Sequence, residues 1–267
     1  MAGLFAERLI GMGYCVLVVD PEGDHQDLGK LRQVVVITVA HGTPSPEYVV
    51  EQFSRRFTSV VLDMSQMAEK HRHPYLEKLA ACVDLSRAEC GLPHWIVEDE
   101  AHATATNLRK ETRRLGGVSE TGQWGHCLVT FRPDLLASEA LGQIETVIVT
   151  GVENVTDELA NIISTTTHVS VEQIGLVTSQ STPGQALLVT QPHLGTTTLF
   201  SPATRTTQHK RHTHKYVDVR LVSKKRFYFR NSTDSIVAVA ANLQNLVEIL
   251  TSCEPDVVEH HAPGHDL

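Results

Sequence analysis

Four stretches of the chain are continuously apolar and rich in β-branched residues: YCVLVV before Asp20, Val34–Val39, Ser59–Asp63 and the HWIV that opens HWIVEDEAH at 94–102. A strand with one face in water alternates apolar and polar side chains, so short unbroken runs of this kind predict strands covered on both faces. The segments between them have helical spacing. Leu4, Phe5, Leu9 and Ile10 share one face of a helix over 2–12 that Gly11 and Gly13 close, and a long amphipathic helix is predicted over roughly 66–89. After a polar, Gly-containing stretch at 112–125, the strand HCLVTF (126–131), a helix from about Pro133 and the strand ETVIVTGV (145–152) continue the alternation. The fold class predicted is α/β, three-layer, with a mostly parallel sheet.

Beyond about residue 165 the pattern changes to Thr/Ser-rich connections and short strands such as ALLVT (186–190). A boundary is placed near 203, giving units of 1–203 and 204–267. The second is read as a small α+β segment with an aromatic strand, RFYFR (226–230), and a helix over about 236–251. Charge divides the same way. Nine Lys/Arg stand against one acid, Asp218, in 204–230, so an overall formal charge of −8 leaves −16 on the remainder. An acidic body with one basic stretch suits a local contact with a polyanion or protein partner, or a solvated segment facing acidic surface. Lys and Arg interleave there with Tyr216, Phe227, Tyr228 and Phe229, a composition that can serve a nucleic-acid backbone with base stacking or a hairpin with one aromatic face in a core. The histidines of the same stretch, His209, His212 and His214, lack the convergent spacing that would predict a metal site.

With 41% apolar and 20% charged residues the chain can bury a full core, which excludes wholesale disorder. No apolar run is long enough to span a bilayer, and the opening MAGLFAERLIGMGYCVLVVD carries charges and lacks a small-residue cleavage site. Cys15, Cys82, Cys90, Cys127 and Cys253 are scattered, odd in number and without a C-x-x-C pair, as expected of reduced thiols. A cytoplasmic location without membrane contact is the expectation.

The chemistry concentrates where strands end. In WIVEDEAH an apolar strand runs into adjacent acids, an arrangement that can hold a Mg²⁺-bound water on Asp99 and polarise an attacking water with Glu100 as base; the alternative is a buried strand ending in surface acids. Glu98 precedes them, and if it points into the core it must be paired or protonated. A second acidic strand end, VVDPEGD (18–24), supplies Asp20 and Glu22 as candidate cofactor-binding residues, or else forms a plain polar turn. Ligands of open α/β sheets bind outside the carboxyl ends of the strands, so Asp20, Asp99 and Thr130-Phe131-Arg132 are expected along one sheet edge.

The opening helix, VVDPEGD, LPHWIVEDEAH and CLVTFRP together resemble the HerA/FtsK class of P-loop ATPases over roughly residues 2–165. More narrowly, HKYVDVRLVSKKRFYFR…AANL…HH over about 209–261 resembles the end of ATPase modules that follow haloacid-dehalogenase-type phosphatase domains, although the D-x-D-x-T motif of those phosphatases does not occur here. The resemblance implies ATP and Mg²⁺ as cofactors in intact relatives, Arg132 in the place of a polar nucleotide sensor, self-association, and an upstream phosphatase domain in some relatives. It also implies a first strand and a Gly-rich loop ahead of the helix at 2–12. No G-x-x-x-x-G-K-[ST] occurs in the 267 residues, and neither Gly29-Lys30 nor Gly116-Gly117 has its spacing. The expectation is a truncated or degenerate ATPase domain, inactive alone, with a non-catalytic binding or assembly module as the alternative. In the family pattern the missing strand lies between 126–131 and 145–152, so a gap or collapse is expected there, with Leu128 and Val149 less well buried.

Overall fold

The computed structural model of the chain describes residues 1–40, 43–105, 125–191, 197–207, 226–252 and 257. They divide into two compact units, Met1–Gln208 and His209–Leu267.

The first unit is built on five parallel strands: β1 (Val16–Asp20), β2 (Val34–Thr38), β3 (Ser59–Asp63), β4 (Trp95–Glu98) and β5 (His126–Leu128), ordered β2-β3-β1-β4-β5. The unbroken apolar runs have the predicted cause, since β1 and β3 are buried at every position. The pleat sends alternate residues to opposite faces. Leu17, Val19, Val60 and Leu62 pack with Val49 and Phe53 of α2 (Pro46–Arg56) and with Leu76, Leu79 and Val83 of α3 (Glu69–Cys90). Val16, Val18, Val61 and Val97 face Ala2, Ala6 and Leu9 of α1 (Ala2–Gly11) together with Leu28 of a 3₁₀ turn, Gln26–Lys30. The unit is therefore a three-layer α/β structure.

The chain leaves β1 toward β3 and β2 on one side, whereas β4 and β5 lie on the other. A crevice thus opens at the carboxyl ends of β1 and β4, where ligands of such sheets are bound.

Three elements differ from the sequence expectations. The strand expected at 145–152 does not join the parallel sheet. β6 (Thr146–Thr150) pairs antiparallel with β7 (Ala186–Thr190), and β7 with β8 (Thr197–Phe200), in a separate three-stranded sheet. The outward Thr146, Ile148 and Thr150 are exposed while Val147 and Val149 face a core with the helices Asp157–Thr167 and Val171–Thr178, as in a sheet covered on one face only. Among the described residues β5 pairs with β4 alone and β6 belongs to the separate sheet, so the two strands neither flank a gap in one sheet nor collapse onto each other; Leu128 is half-buried, but Val149 is buried at 8% exposure, contrary to expectation. The predicted helix from Pro133 is only a 3₁₀ turn, Pro133–Leu135, followed by a short helix, Ser138–Leu141.

In the second unit β9 (Phe227–Arg230) pairs antiparallel with β10 (Ile236–Ala240), and a helix follows at Leu243–Ser252. The helix expected from 236 therefore begins later. Asn231 Oδ1 accepts the N–H groups of Thr233 and Ser235, closing a turn that folds the β-branched IVAVA back on the aromatic strand. Phe229, Ala240 and Val257 form this unit's core. Most of the basic stretch, including His209, His212 and His214, lies outside the described residues. Among the described residues no helix is long and apolar enough to cross a membrane.

Candidate functional site

The crevice between β1 and β4 gathers acids because adjacent parallel strands end level. Val19 pairs with Glu98, Asp20 with Asp63, and the ladder runs one step further as the Asp99 N–H donates to the Val19 carbonyl at 3.0 Å. The Val129 N–H donates to the Glu98 carbonyl at 2.9 Å, so the segment holding Thr130, Phe131 and Arg132 emerges at the same edge. Asp20, Asp99 and this segment share one sheet edge as expected.

Asp20 is buried, and its carboxylate organises its own loop. Oδ1 accepts the N–H groups of Gly23 (2.8 Å) and Asp24 (3.0 Å), and Oδ2 accepts that of His25 (2.8 Å). Burial raises its pKa above the usual carboxylate value, with His25 and the three amides opposing the shift. Gly23 has φ +78°, and a Cβ there would stand 3.0 Å from Asp63 Oδ1 and 3.1 Å from Ser65 Oγ, so the turn needs glycine for its conformation and for space. Asp63 fastens the other side, accepting from Gln26 Nε2 at 2.7 Å, Thr38 Oγ1 at 3.2 Å and the Ser65 N–H at 2.9 Å. Glu22 projects to the exposed side of this loop.

The loop delivers His25 into the crevice. Its imidazole is 1% exposed and its Nε2 lies 2.7 Å from Asp99 Oδ2. Asp99 keeps 16% of its side chain accessible, and its Oδ1 accepts the Glu100 N–H at 3.1 Å. Glu100 takes the left-handed conformation, φ +49°, uncommon for a residue with a Cβ. Its carboxylate, 14% accessible, lies 3.4 Å from His102 Nδ1, which also reaches Thr130 Oγ1 at 3.1 Å and meets the Phe131 ring edge-on at a centroid distance of 4.6 Å. The fold thus brings Asp99, Glu100 and His102 together. Glu98, 3% exposed, is paired: its Oε1 lies 2.9 Å from His126 Nε2 across β4 and β5. Burial, with Asp99 and Glu98 adding to it, pushes the neighbouring Cys127 thiol up to about 11. Arg132 is turned onto Asp134, donating from Nε at 2.9 Å and from Nη2 at 2.8 Å.

The other wall is the start of α1. Burial lowers the pKa of the Met1 amino group; Asp99 opposes this shift, and Arg205 adds to it. The Arg205 guanidinium lies on Gly3, where a Cβ would collide with its Cζ and both terminal nitrogens. Its Nε donates to Thr207 Oγ1 at 2.8 Å, and its Nη2 is buried without a hydrogen bond among the described residues. Burial lowers the pKa of this guanidinium, with Glu7, Asp27 and Asp99 opposing. The segment carrying Arg205 is tied to α1, because the Glu7 carboxylate accepts both N–H groups of Thr206 and Thr207 and the Thr207 hydroxyl.

His25, Asp63 and Arg205 are site residues that sequence reasoning did not single out. His25 and Arg205 find their partners across long sequence separations. Asp63 had a visible signal, since it also ends a continuous apolar run.

No protein-family model matches the chain, and no curated protein does. Among solved structures the chain is similar to the genome packaging NTPase B204 from Sulfolobus turreted icosahedral virus 2. The complex with AMPPCP gives a TM-score of 0.48 at 16% identity, over 72% of this chain and 98% of that one. The complex with ATP-gammaS gives 0.42 at 15% identity, over 72% and 99%.

Proposed function

We propose that the first unit carries the metal- and water-directing half of a nucleoside-triphosphate hydrolase site of the HerA/FtsK type, and that this chain does not turn over ATP by itself. The observation carrying the reading is the position of Asp99 and Glu100: consecutive acids just past β4, in the crevice where the sheet changes direction, each partly accessible.

The residues fit a Mg²⁺ ion. Asp99 keeps part of its side chain in water, and a hard carboxylate facing water suits an ion that keeps most of its hydration shell. Bound there, Mg²⁺ would neutralise charge developing on the phosphates. Glu100 is the base: it takes a left-handed backbone conformation just past β4, and its carboxylate lies 3.4 Å from His102 Nδ1. Asp20 takes the part of loop anchor, because three amides already occupy it, and Arg132 reaches a nucleotide only by leaving Asp134. The 267 residues contain no G-x-x-x-x-G-K-[ST], the loop that would fix the β- and γ-phosphates relative to Asp99 and Glu100. Positioning and electrostatic stabilisation of the γ-phosphoryl supply most of the catalysis in this chemistry.

Steady-state phosphate release from MgATP should be at background for the chain. It should become measurable when a strand and a phosphate-binding loop are placed ahead of Ala2, and Glu100→Gln should lower that restored rate by roughly 10²–10⁴-fold. Robust turnover by the unmodified chain overturns the claim of inactivity; a restored rate indifferent to Glu100→Gln overturns the choice of base.

A further inference from the structure

We propose that His25 is a positioning residue for Asp99, an outer-shell N–H donor that fixes the carboxylate for a divalent cation without itself ligating the ion. The inference rests on the proposed function, which assigns the cation to Asp99.

His25 is held at both ends. Its backbone N–H is bound by Asp20 Oδ2 at 2.8 Å, and its Nε2 lies 2.7 Å from Asp99 Oδ2 with the ring 1% exposed. Asp20 also holds the two preceding amides, so three residues of the loop are set by one buried carboxylate on the strand next to β4. Asp99 is consequently held on both oxygens, by the His25 ring on one and the Glu100 N–H on the other, which restrains the orientation of the carboxylate.

Donor atoms of Asp20, His25 and Asp99 lie within 4.8 Å of one another, close enough to suggest direct ligation by all three. Two features argue against it. Nε2 and Oδ2 stand at the distance of a short charge-assisted hydrogen bond, 2.7 Å, so the ring nitrogen is already engaged with the carboxylate. Asp20 is also surrounded by three N–H dipoles with their positive ends toward it, which disfavours a cation in contact with it. A histidine donating to a metal-binding carboxylate works by orientation, and loss of such partners typically weakens metal binding by roughly 10–100-fold.

The test uses the full chain and Mn²⁺ alone, followed by electron paramagnetic resonance, with each variant's melting temperature recorded. The chain should bind Mn²⁺ saturably, and Asp99→Asn should abolish that binding. His25→Ala should weaken it about 10–100-fold, and His25→Gln, which keeps an N–H near the Nε2 position, should restore it to within a few-fold. Spin-echo modulation on the wild-type complex should show no directly coordinated imidazole nitrogen. A ligated nitrogen that disappears in His25→Ala overturns the positioning role. So does unchanged affinity in His25→Ala, or a His25→Gln chain that melts like wild type and still binds weakly. Absent saturable binding, or affinity indifferent to Asp99→Asn, would instead remove the metal assignment of Asp99, and the inference with it.

Discussion

Glu7 sits in α1 with both carboxylate oxygens engaged: the Thr206 N–H at 3.1 and 3.2 Å, and the Thr207 N–H at 2.9 Å and hydroxyl at 2.8 Å. Burial alone pushes this carboxyl up, but the hydrogen bonds outweigh it and hold Glu7 at about 2, against an ordinary value of 4.5. A carboxyl depressed in the folded state contributes stability that is fully present above its unfolded pKa and is lost as pH falls through 4.5 toward 2. Denaturant titrations at pH 6 and pH 3 should show Glu7→Gln less stable than wild type at pH 6 by roughly 2 kcal/mol, with the difference shrinking at pH 3. A difference that stays constant between the two pH values would show that Glu7 is not ionised in this contact. Gln keeps the shape of the side chain but only one acceptor oxygen, so the variant removes the charge together with at least one of these hydrogen bonds.

β5 is placed by a single residue at its start. Gly125 has φ +81°, its carbonyl accepts the Ile96 N–H at 2.8 Å, and a Cβ on it would collide with the His94 carbonyl. Because the obstacle is backbone, it cannot turn aside as a long side chain would. Gly125→Ala should therefore cost roughly 2–4 kcal/mol, read as a lower urea midpoint at unchanged slope. A cost below about 0.5 kcal/mol would mean that β5 shifts freely along β4. Much of this sheet was legible, because a strand buried on both faces needs an unbroken apolar run, and β1, β3 and β4 each have one. TVIVT gives the same local signal for a different setting. Its flanking threonines face outward on a one-sided antiparallel sheet, and no local pattern tells which neighbour a strand will choose. Asp99 and Glu100 were likewise visible as the end of such a run. His25 was not, since its significance lies in a partner 74 residues away.

Across the whole chain, the composition shift near 203 and the compact unit ending at Gln208 bracket five residues that include the whole tie to Glu7. Arg8 Nη2 adds a bond to the Thr204 carbonyl at 3.2 Å. A chain cut after residue 203 should leave Glu7 without its four donor contacts, whereas one cut after Gln208 keeps them. The shorter piece should be less stable by roughly 2–4 kcal/mol in parallel urea titrations, and equal midpoints would show that the tie contributes nothing. The same tie bears on the order in which the protein takes shape during synthesis. Glu7 leaves the ribosome about 200 residues ahead of its partners. Joining such distant points adds only ~0.6 kcal/mol for each doubling of the intervening length, so distance does not prevent the contact from forming; it delays it. Until Thr206 and Thr207 have emerged, α1 must wait on a half-covered sheet with a carboxylate still in water. α1, made well before its partners, is therefore among the later elements to be locked.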